Sequence, residues 1–204
     1  RGFSFSKEGP LDMRFDQRSK LTAADVLNSY SEEDLTKIFF EYGEEKMARK
    51  AAKCIVEDRA KEKFVSTKQL GEMLERVLRK KRSSKASKAH PATKIFQALR
   101  IEVNDEIEAL KEALQGAIEI LNVGGRIAII SYHSLEDRIV KQFFKDLLKP
   151  RETDPEKSIY QNYAAPYFES LSRKPIIPSE KELEENPRSR SAKLRIYKKL
   201  REIS

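Results

Sequence analysis

One cysteine, two histidines and no tryptophan occur in the 204 residues. A single thiol, Cys54, excludes an intrachain disulfide, a Cys-rich zinc site and a paired-thiol redox centre, and it fits a reducing, cytoplasmic compartment. His90 and His133 stand alone, without metal-ligand spacing around them, so no metal site is expected. The seven glycines form neither a dinucleotide fingerprint nor a phosphate loop ending in Lys-Ser or Lys-Thr, which leaves nucleotide hydrolysis unsupported. A Gly-x-Ser-x-Gly elbow is absent too, and Ser131, His133 and Asp137 as near neighbours in sequence are no triad. No apolar run approaches the roughly 20 residues of a membrane span, and residues 1–20 are charged too early for a signal peptide. No membrane partner is expected.

Charge is what the chain has in quantity. Forty-one Lys and Arg face 33 Asp and Glu, a net charge of +8, and the pI is near 9.4. An acidic partner follows, with nucleic acid the first candidate. A mean hydropathy of −0.67 and 39% hydrophobic residues are low for one compact α/β domain, so much of the chain is predicted to be solvated helix or loop.

The organising stretch runs from Ile107 to Phe144. Ile107, Leu110, Leu114, Ala117, Ile118 and Leu121 recur at helical spacing, and Gly124-Gly125 ends that series. Residues 126–130 then read as a short strand whose near-continuous apolar character predicts cover on both faces, as in a parallel sheet. Leu135, Ile139, Val140, Phe143 and Leu147 restart the helical period. Ser131-Tyr132-His133-Ser134 therefore falls at a strand's carboxyl end, where α/β sheets hold ligands. Because Gly124-Gly125 precedes its strand, it is on the wrong side for a cofactor turn; either no adenosine-type cofactor binds or that half of the site lies upstream of Arg1.

Around this unit, residues 1–18 read as an ordered loop, and residues 22–82 as four helices with Thr22, Ser31 and Ser66 as caps. From Arg79 to Lys88, six basic residues (Arg79, Lys80, Lys81, Arg82, Lys85 and Lys88) stand among serines without an acid, an arm suited to phosphate or to plain solvation. Tyr160, Tyr163, Tyr167 and Phe168 sit in an irregular excursion that either stacks on bases or packs back. Ser179 is a predicted helix cap and Pro187 ends that helix. Residues 192–197 alternate, predicting a last strand with polar side chains outward and apolar ones inward.

Five blocks together resemble the RsmH (MraW) family. They are Arg1-Gly2-Phe3-Ser4-Phe5; Gly9-Pro10-Leu11-Asp12-Met13-Arg14; His90-Pro91-Ala92-Thr93-Lys94 with the following Phe96 to Asn104; Ser131-Tyr132-His133-Ser134-Leu135-Glu136-Asp137-Arg138; and Asn186-Pro187-Arg188-Ser189-Arg190-Ser191 to Arg195. They run in the family's order from the first residue to the last strand. The resemblance implies an S-adenosylmethionine-dependent methyltransferase acting on the exocyclic N4 of a cytidine in the decoding region of bacterial 16S rRNA, within the small ribosomal subunit. The fold it implies is α/β: the C-terminal part of a class I (Rossmann-like) methyltransferase core with an inserted all-helical domain. Residues 1–19 would be a core-associated loop, 20–89 the insertion with its basic arm at 79–88, and 90–204 the returning core. The family's Gly-rich turn and ribose-binding acid have no counterpart here, so these 204 residues alone are expected to be inactive, with the main cofactor contacts upstream of Arg1.

On that resemblance Ser131, Tyr132, His133 and Asn104 are candidate catalytic residues, with His133 either proton acceptor or structural. Asp12 and Arg14 are candidates on the cofactor side. Arg188 and Arg190, like the basic arm, suit RNA phosphates. Glu136 and Asp137 have an ordinary role at a helix start, where carboxylates favour the dipole. A homodimer stays open, as do two other readings: a non-catalytic RNA- or ribosome-binding protein, and a DNA cytosine-N4 methyltransferase.

Overall fold

A computed structural model describes residues 2–5, 7–78, 90, 92–149, 151–152, 163–164 and 166–203. It is a mixed α/β structure, mostly helical with a small antiparallel sheet. The chain divides into two units, Arg1–Glu106 and Ile107–Ser204, each with a hydrophobic cluster of its own.

The first unit holds α1 (Ala23–Ser29), α2 (Glu32–Glu41), α3 (Ala48–Arg59), α4 (Thr67–Leu78) and α5 (Thr93–Asn104). Local chemistry sets where they start. Thr22 and Asp25 make a reciprocal capping box before α1, Ser31 caps α2, and Ser66 accepts from the Gln69 amide at 3.2 Å ahead of α4. The stripes read from the sequence are the core: Leu27, Leu35, Phe39, Ile55, Leu70, Leu74 and Leu99 are fully buried. Residues 7–13 belong to the same unit, because they are sewn to the start of α4. Thr67 Oγ1 donates to the Lys7 carbonyl at 2.7 Å and accepts from the Gly9 amide at 3.1 Å, while the Leu11 amide donates to the Val65 carbonyl.

The second unit contains α6 (Glu106–Ile120), which begins at the division, β1 (Arg126–Ser131), α7 (Ser134–Leu147), the short pair β2 (Arg151–Glu152) and β3 (Tyr163–Ala164), β4 (Phe168–Ser170), α8 (Glu180–Glu185), a 3₁₀ turn (Pro187–Ser191) and β5 (Lys193–Lys199). The sheet order is β1-β5-β4 with β5 antiparallel to both neighbours. The parallel pairing predicted for β1 is thus not what the described residues form. Ile127 and Ile129 pack on the core, whereas Ile130 is 57% exposed. The apolar run is covered on one face only.

The face of β5 is also the reverse of the prediction. Tyr197 and Lys199 are its buried residues, each 2% exposed, and Tyr197 stacks on Phe144 of α7 at 3.8 Å. Arg195 and Lys193 share that face and reach Asp137 on α7. Leu194 and Ile196, the apolar members, therefore lie on the opposite side. Polar side chains can point inward here because each finds a helix terminus. Lys199 Nζ donates to the carbonyls of Ile118 at 3.2 Å and Leu121 at 2.8 Å and pairs with Glu202. Those carbonyls are at the carboxyl end of α6, which has no basic residue in its last turn, so the ammonium satisfies orphan acceptors at the negative end of the dipole. Gly124, at φ 84°, turns the chain from α6 into β1. A side chain on Gly125 would meet the Asn122 carbonyl oxygen at 2.8 Å.

Lys199→Met keeps the apolar stem and removes these bonds. Urea denaturation is expected to show a loss of about 1.5–3 kcal/mol, the usual range for hydrogen bonds to a charged group; an unchanged midpoint would contradict the capping role.

Candidate functional site

Where β1 ends and α7 begins, three residues make a corner from their own side chains. His133 is the N-cap of α7 and Glu136 its N3 residue. His133 Nδ1 accepts from the Glu136 amide at 3.3 Å. In return Glu136 Oε2 accepts from the amides of Tyr132 at 2.7 Å and His133 at 3.2 Å. This is a capping box with imidazole in place of a hydroxyl, and it satisfies donors that a helix start leaves orphaned. With Nδ1 an acceptor, the neutral ring carries its proton on Nε2, which lies 3.3 Å from Glu136 Oε1. The lone pair that a proton acceptor needs is already used by the helix.

Ser131 and Tyr132 flank this corner differently. Ser131 is 2% exposed, and its Oγ has no hydrogen-bond partner among the described residues. Tyr132 is 56% exposed although its backbone is fixed. One residue beyond Glu136, Asp137 takes Arg195 side-on, Oδ1 to Nε at 2.8 Å and Oδ2 to Nη2 at 3.2 Å, with Lys193 Nζ at 3.4 Å. The Arg195 guanidinium holds the Asp137 carboxyl below its ordinary range against the opposing effect of burial. The pair ties β5 to the first turn of α7.

The structure brings Tyr132 together with the Arg188–Arg190 turn, which sequence had placed far apart. An open cleft of about 400 Å³ is lined by Ile130, Tyr132, Ile176, Ile177, Leu194 and Ser189, with Glu182 and Asn186 at its polar side. Ser189 is buried, while its neighbours Arg188 and Arg190 are exposed. Sequence reading missed Ile130, Ile176 and Ile177 as part of a site. The exposed Pro175-Ile176-Ile177-Pro178 run was the available signal.

In the first unit, Asp12, Arg14 and Asn104 shape one loop. Asp12 and Arg14 make a fork-to-fork pair at 2.8 and 2.9 Å, and Arg14 Nη1 also donates to the carbonyls of Gln17 and Ser19. Asn104 Nδ2 donates to the Met13 and Arg100 carbonyls, both at 2.8 Å, and its Oδ1 accepts from the Phe15 amide at 2.6 Å. These bonds hold Met13 in the left-handed region, φ 61°, with its side chain fully buried. Both amide donors of Asn104 are engaged within the protein. His90, the other histidine, accepts from the Ala92 amide through Nδ1 at 3.1 Å and stacks on Phe5, a turn residue's role. The basic arm, Arg79, Lys80, Lys81, Arg82, Lys85 and Lys88, lies outside the described residues. No helix among the described residues is long and apolar enough to cross a membrane.

Comparison with known proteins matches residues 1–200 to the MraW methylase family. Three curated relatives share the name ribosomal RNA small subunit methyltransferase H. That of Carboxydothermus hydrogenoformans is 46% identical over 200 residues, that of Streptococcus dysgalactiae subsp. equisimilis 47% over 206, and that of Brevibacillus brevis 45% over 200. Each alignment covers 98% of this chain and 63% of the relative, so the chain spans less than two thirds of their length.

The Asp12–Arg14 pair gives a pH dependence. Arg14's hydrogen bonds bring the Asp12 carboxyl down from 3.8 to about 2. Its contribution to stability is complete above the unfolded value and is lost as pH falls through about 2. Acid denaturation of Asp12→Asn is expected to lose part of the wild-type slope between pH 4 and pH 2; identical slopes would contradict the pairing.

Proposed function

This chain belongs to the MraW methylase family, and from that membership we propose that the whole protein transfers a methyl group from S-adenosylmethionine to the exocyclic N4 of a cytidine in the decoding region of 16S rRNA, within the small ribosomal subunit. The three relatives' shared name supports this substrate class. The observation that carries it is the meeting of Tyr132 with the Arg188–Arg190 turn in one cleft at the carboxyl end of β1. In this reading β1 is the fifth strand of a class I core and β5 belongs to its final antiparallel pair. The order β1-β5-β4 supports that placement. Residues 20–89 are then a helical domain inserted into the core, and residues 90–204 the returning part.

The described residues do not form a cradle for S-adenosylmethionine. Asp12 is occupied by Arg14 and Asp137 by Arg195, so neither carboxylate is available to a ribose, and no Gly-rich turn follows a strand. The cofactor supplies an electrophilic methyl group; this chain's residues act on the acceptor. The cytosine N4 lone pair is delocalised into the ring, which makes alignment a major part of the barrier. Tyr132 stands where the base would be aligned, on a backbone fixed by Glu136, while the buried Ser131 hydroxyl lies on the inner face of β1 and shapes the corner from within. Once methylated, the N4 centre is strongly acidic, because losing its proton restores conjugation, so water suffices as acceptor. His133 is then a positioning residue that holds the corner. Asp12, Arg14 and Asn104 have a positioning role, shaping a loop within the first unit. Arg188, Arg190 and the basic arm neutralise phosphates, and an alanine change at any of these weakens binding more than chemistry.

Labelled methyl transfer to unmodified small subunits is the test, using a protein of the relatives' full length. Incorporation at cytidine N4 is expected; no transfer by a folded, subunit-binding protein would favour a non-catalytic RNA-binding role. His133→Ala is expected to cost about 1 kcal/mol of stability, as cap losses do, and to slow transfer. His133→Asn, which can cap, should restore both without altering the pH–rate profile. A profile that loses a titrating limb in both variants would instead make His133 the proton acceptor.

A further inference from the structure

The outer face of the small sheet has a shape that neither core packing nor helix capping accounts for. Ile130 pairs in register with Leu194, and Leu194 exchanges backbone hydrogen bonds with Ile176 at 2.8 and 2.9 Å. Registered residues share a face, so Ile130 of β1, Leu194 of β5 and the bridge residue Ile176 form an apolar row. Tyr132, two residues beyond Ile130, lies along the same line and borders the same cleft. Ile177 and Pro178 complete the apolar wall. These residues are well exposed: Ile130 57%, Tyr132 56%, Ile176 48% and Ile177 67%.

The rim is polar and mostly basic. Glu182 accepts from Asn186 Nδ2 at 3.2 Å, which leaves the second carboxylate oxygen and the amide carbonyl for another donor. Arg173 and Lys174 immediately precede the Ile176 wall, and Arg188 and Arg190 bracket the lining residue Ser189. All four are exposed and make no ion pair among the described residues. Of the acids on α8 only Glu182 reaches the cleft. An aromatic face over an apolar floor, a hydrogen-bonding edge and unpaired arginines beside it together match an unstacked nucleotide: a flat apolar ring with polar edges, joined to anionic phosphates. A volume of about 400 Å³ falls in the range of about 300–1,000 Å³ typical of small-ligand sites.

We propose that this cleft binds one unpaired nucleotide of the RNA substrate, its base stacked on Tyr132 with its polar edge toward Glu182 and Asn186, and its phosphates toward Arg188 and Arg190. The inference rests on the proposed RNA substrate and goes beyond it in giving the base a seat outside the core. The backbone amide of Tyr132 is already fixed, so the backbone part of the ordering cost does not fall on the moment of binding.

The test is the affinity of a full-length protein for a fluorescent single-stranded oligonucleotide of the decoding-region sequence, measured across salt concentrations. Tyr132→Ala is expected to weaken binding about 5- to 100-fold, the range for loss of one base–aromatic stack, with the salt slope unchanged. Tyr132→Phe keeps the stack and is expected to stay within about twofold of wild type. Arg188→Ala with Arg190→Ala should weaken binding and flatten the slope of log K against log salt by about 1.4, two phosphates at about 0.7 each. Equal affinity of Tyr132→Ala and wild type would overturn the proposal, as would a Tyr132→Phe variant as weak as Tyr132→Ala. Tyr132 is exposed, so these changes spare folding. Methyl transfer by the wild type, assayed separately, decides the functional reading whichever way the cleft experiment falls.

Discussion

A single carboxylate fixes the corner at which β1 meets α7. Glu136 sits in the first turn of α7 and reaches back to the amides of Tyr132 and His133, while His133 reaches forward to the amide of Glu136. Strand and helix are thereby locked at a corner two residues long. The next residue, Asp137, extends the lock sideways by taking Arg195 and Lys193 of β5. Because those cations and Lys199 all find partners on helices α6 and α7, β5 can turn its charged side inward. Its leucine and isoleucine are left on the outer face. The apolar cleft beneath Tyr132 follows from how the charges of the last strand are satisfied.

Much of this was legible in the sequence. The helical stripes of the first unit and the caps Thr22, Ser31, Ser66 and Ser179 are local signals, and local physics decides them. What failed was the reading of faces. Alternation in residues 192–197 tells that two faces differ but not which one meets the core; a buried lysine that caps a distant helix reverses the usual answer. The apolar run of β1 misled for a related reason, since its composition cannot tell how many neighbours the strand has. His133 as a helix cap was hidden because imidazole is an uncommon cap, though its spacing to Glu136 is that of a capping box.

Candidate residues also changed character once their bonds were visible. Asn104 had looked like an amide offered to a substrate, yet its donors clasp the Met13 and Arg100 carbonyls. Asp12 and Arg14 had looked like cofactor contacts, and they satisfy each other. The family resemblance made Asn104 a catalytic candidate and Asp12 and Arg14 cofactor-side candidates; the structure shows the three joined in one loop. Their individual roles depended on partners separated by many residues, which no local pattern encodes. Tyr132 is the converse case: its backbone is tied down and its ring is left outward.

Amide hydrogen exchange at the β1–α7 corner tests this account most directly. In the wild-type protein the amides of Tyr132 and His133 are expected to exchange slowly despite the exposure of the Tyr132 ring, and Glu136→Ala should release both while leaving the buried Phe144–Tyr197 region protected. Fast exchange at Tyr132 in the wild type, or slow exchange that survives Glu136→Ala, would show that the corner is held by something other than this carboxylate.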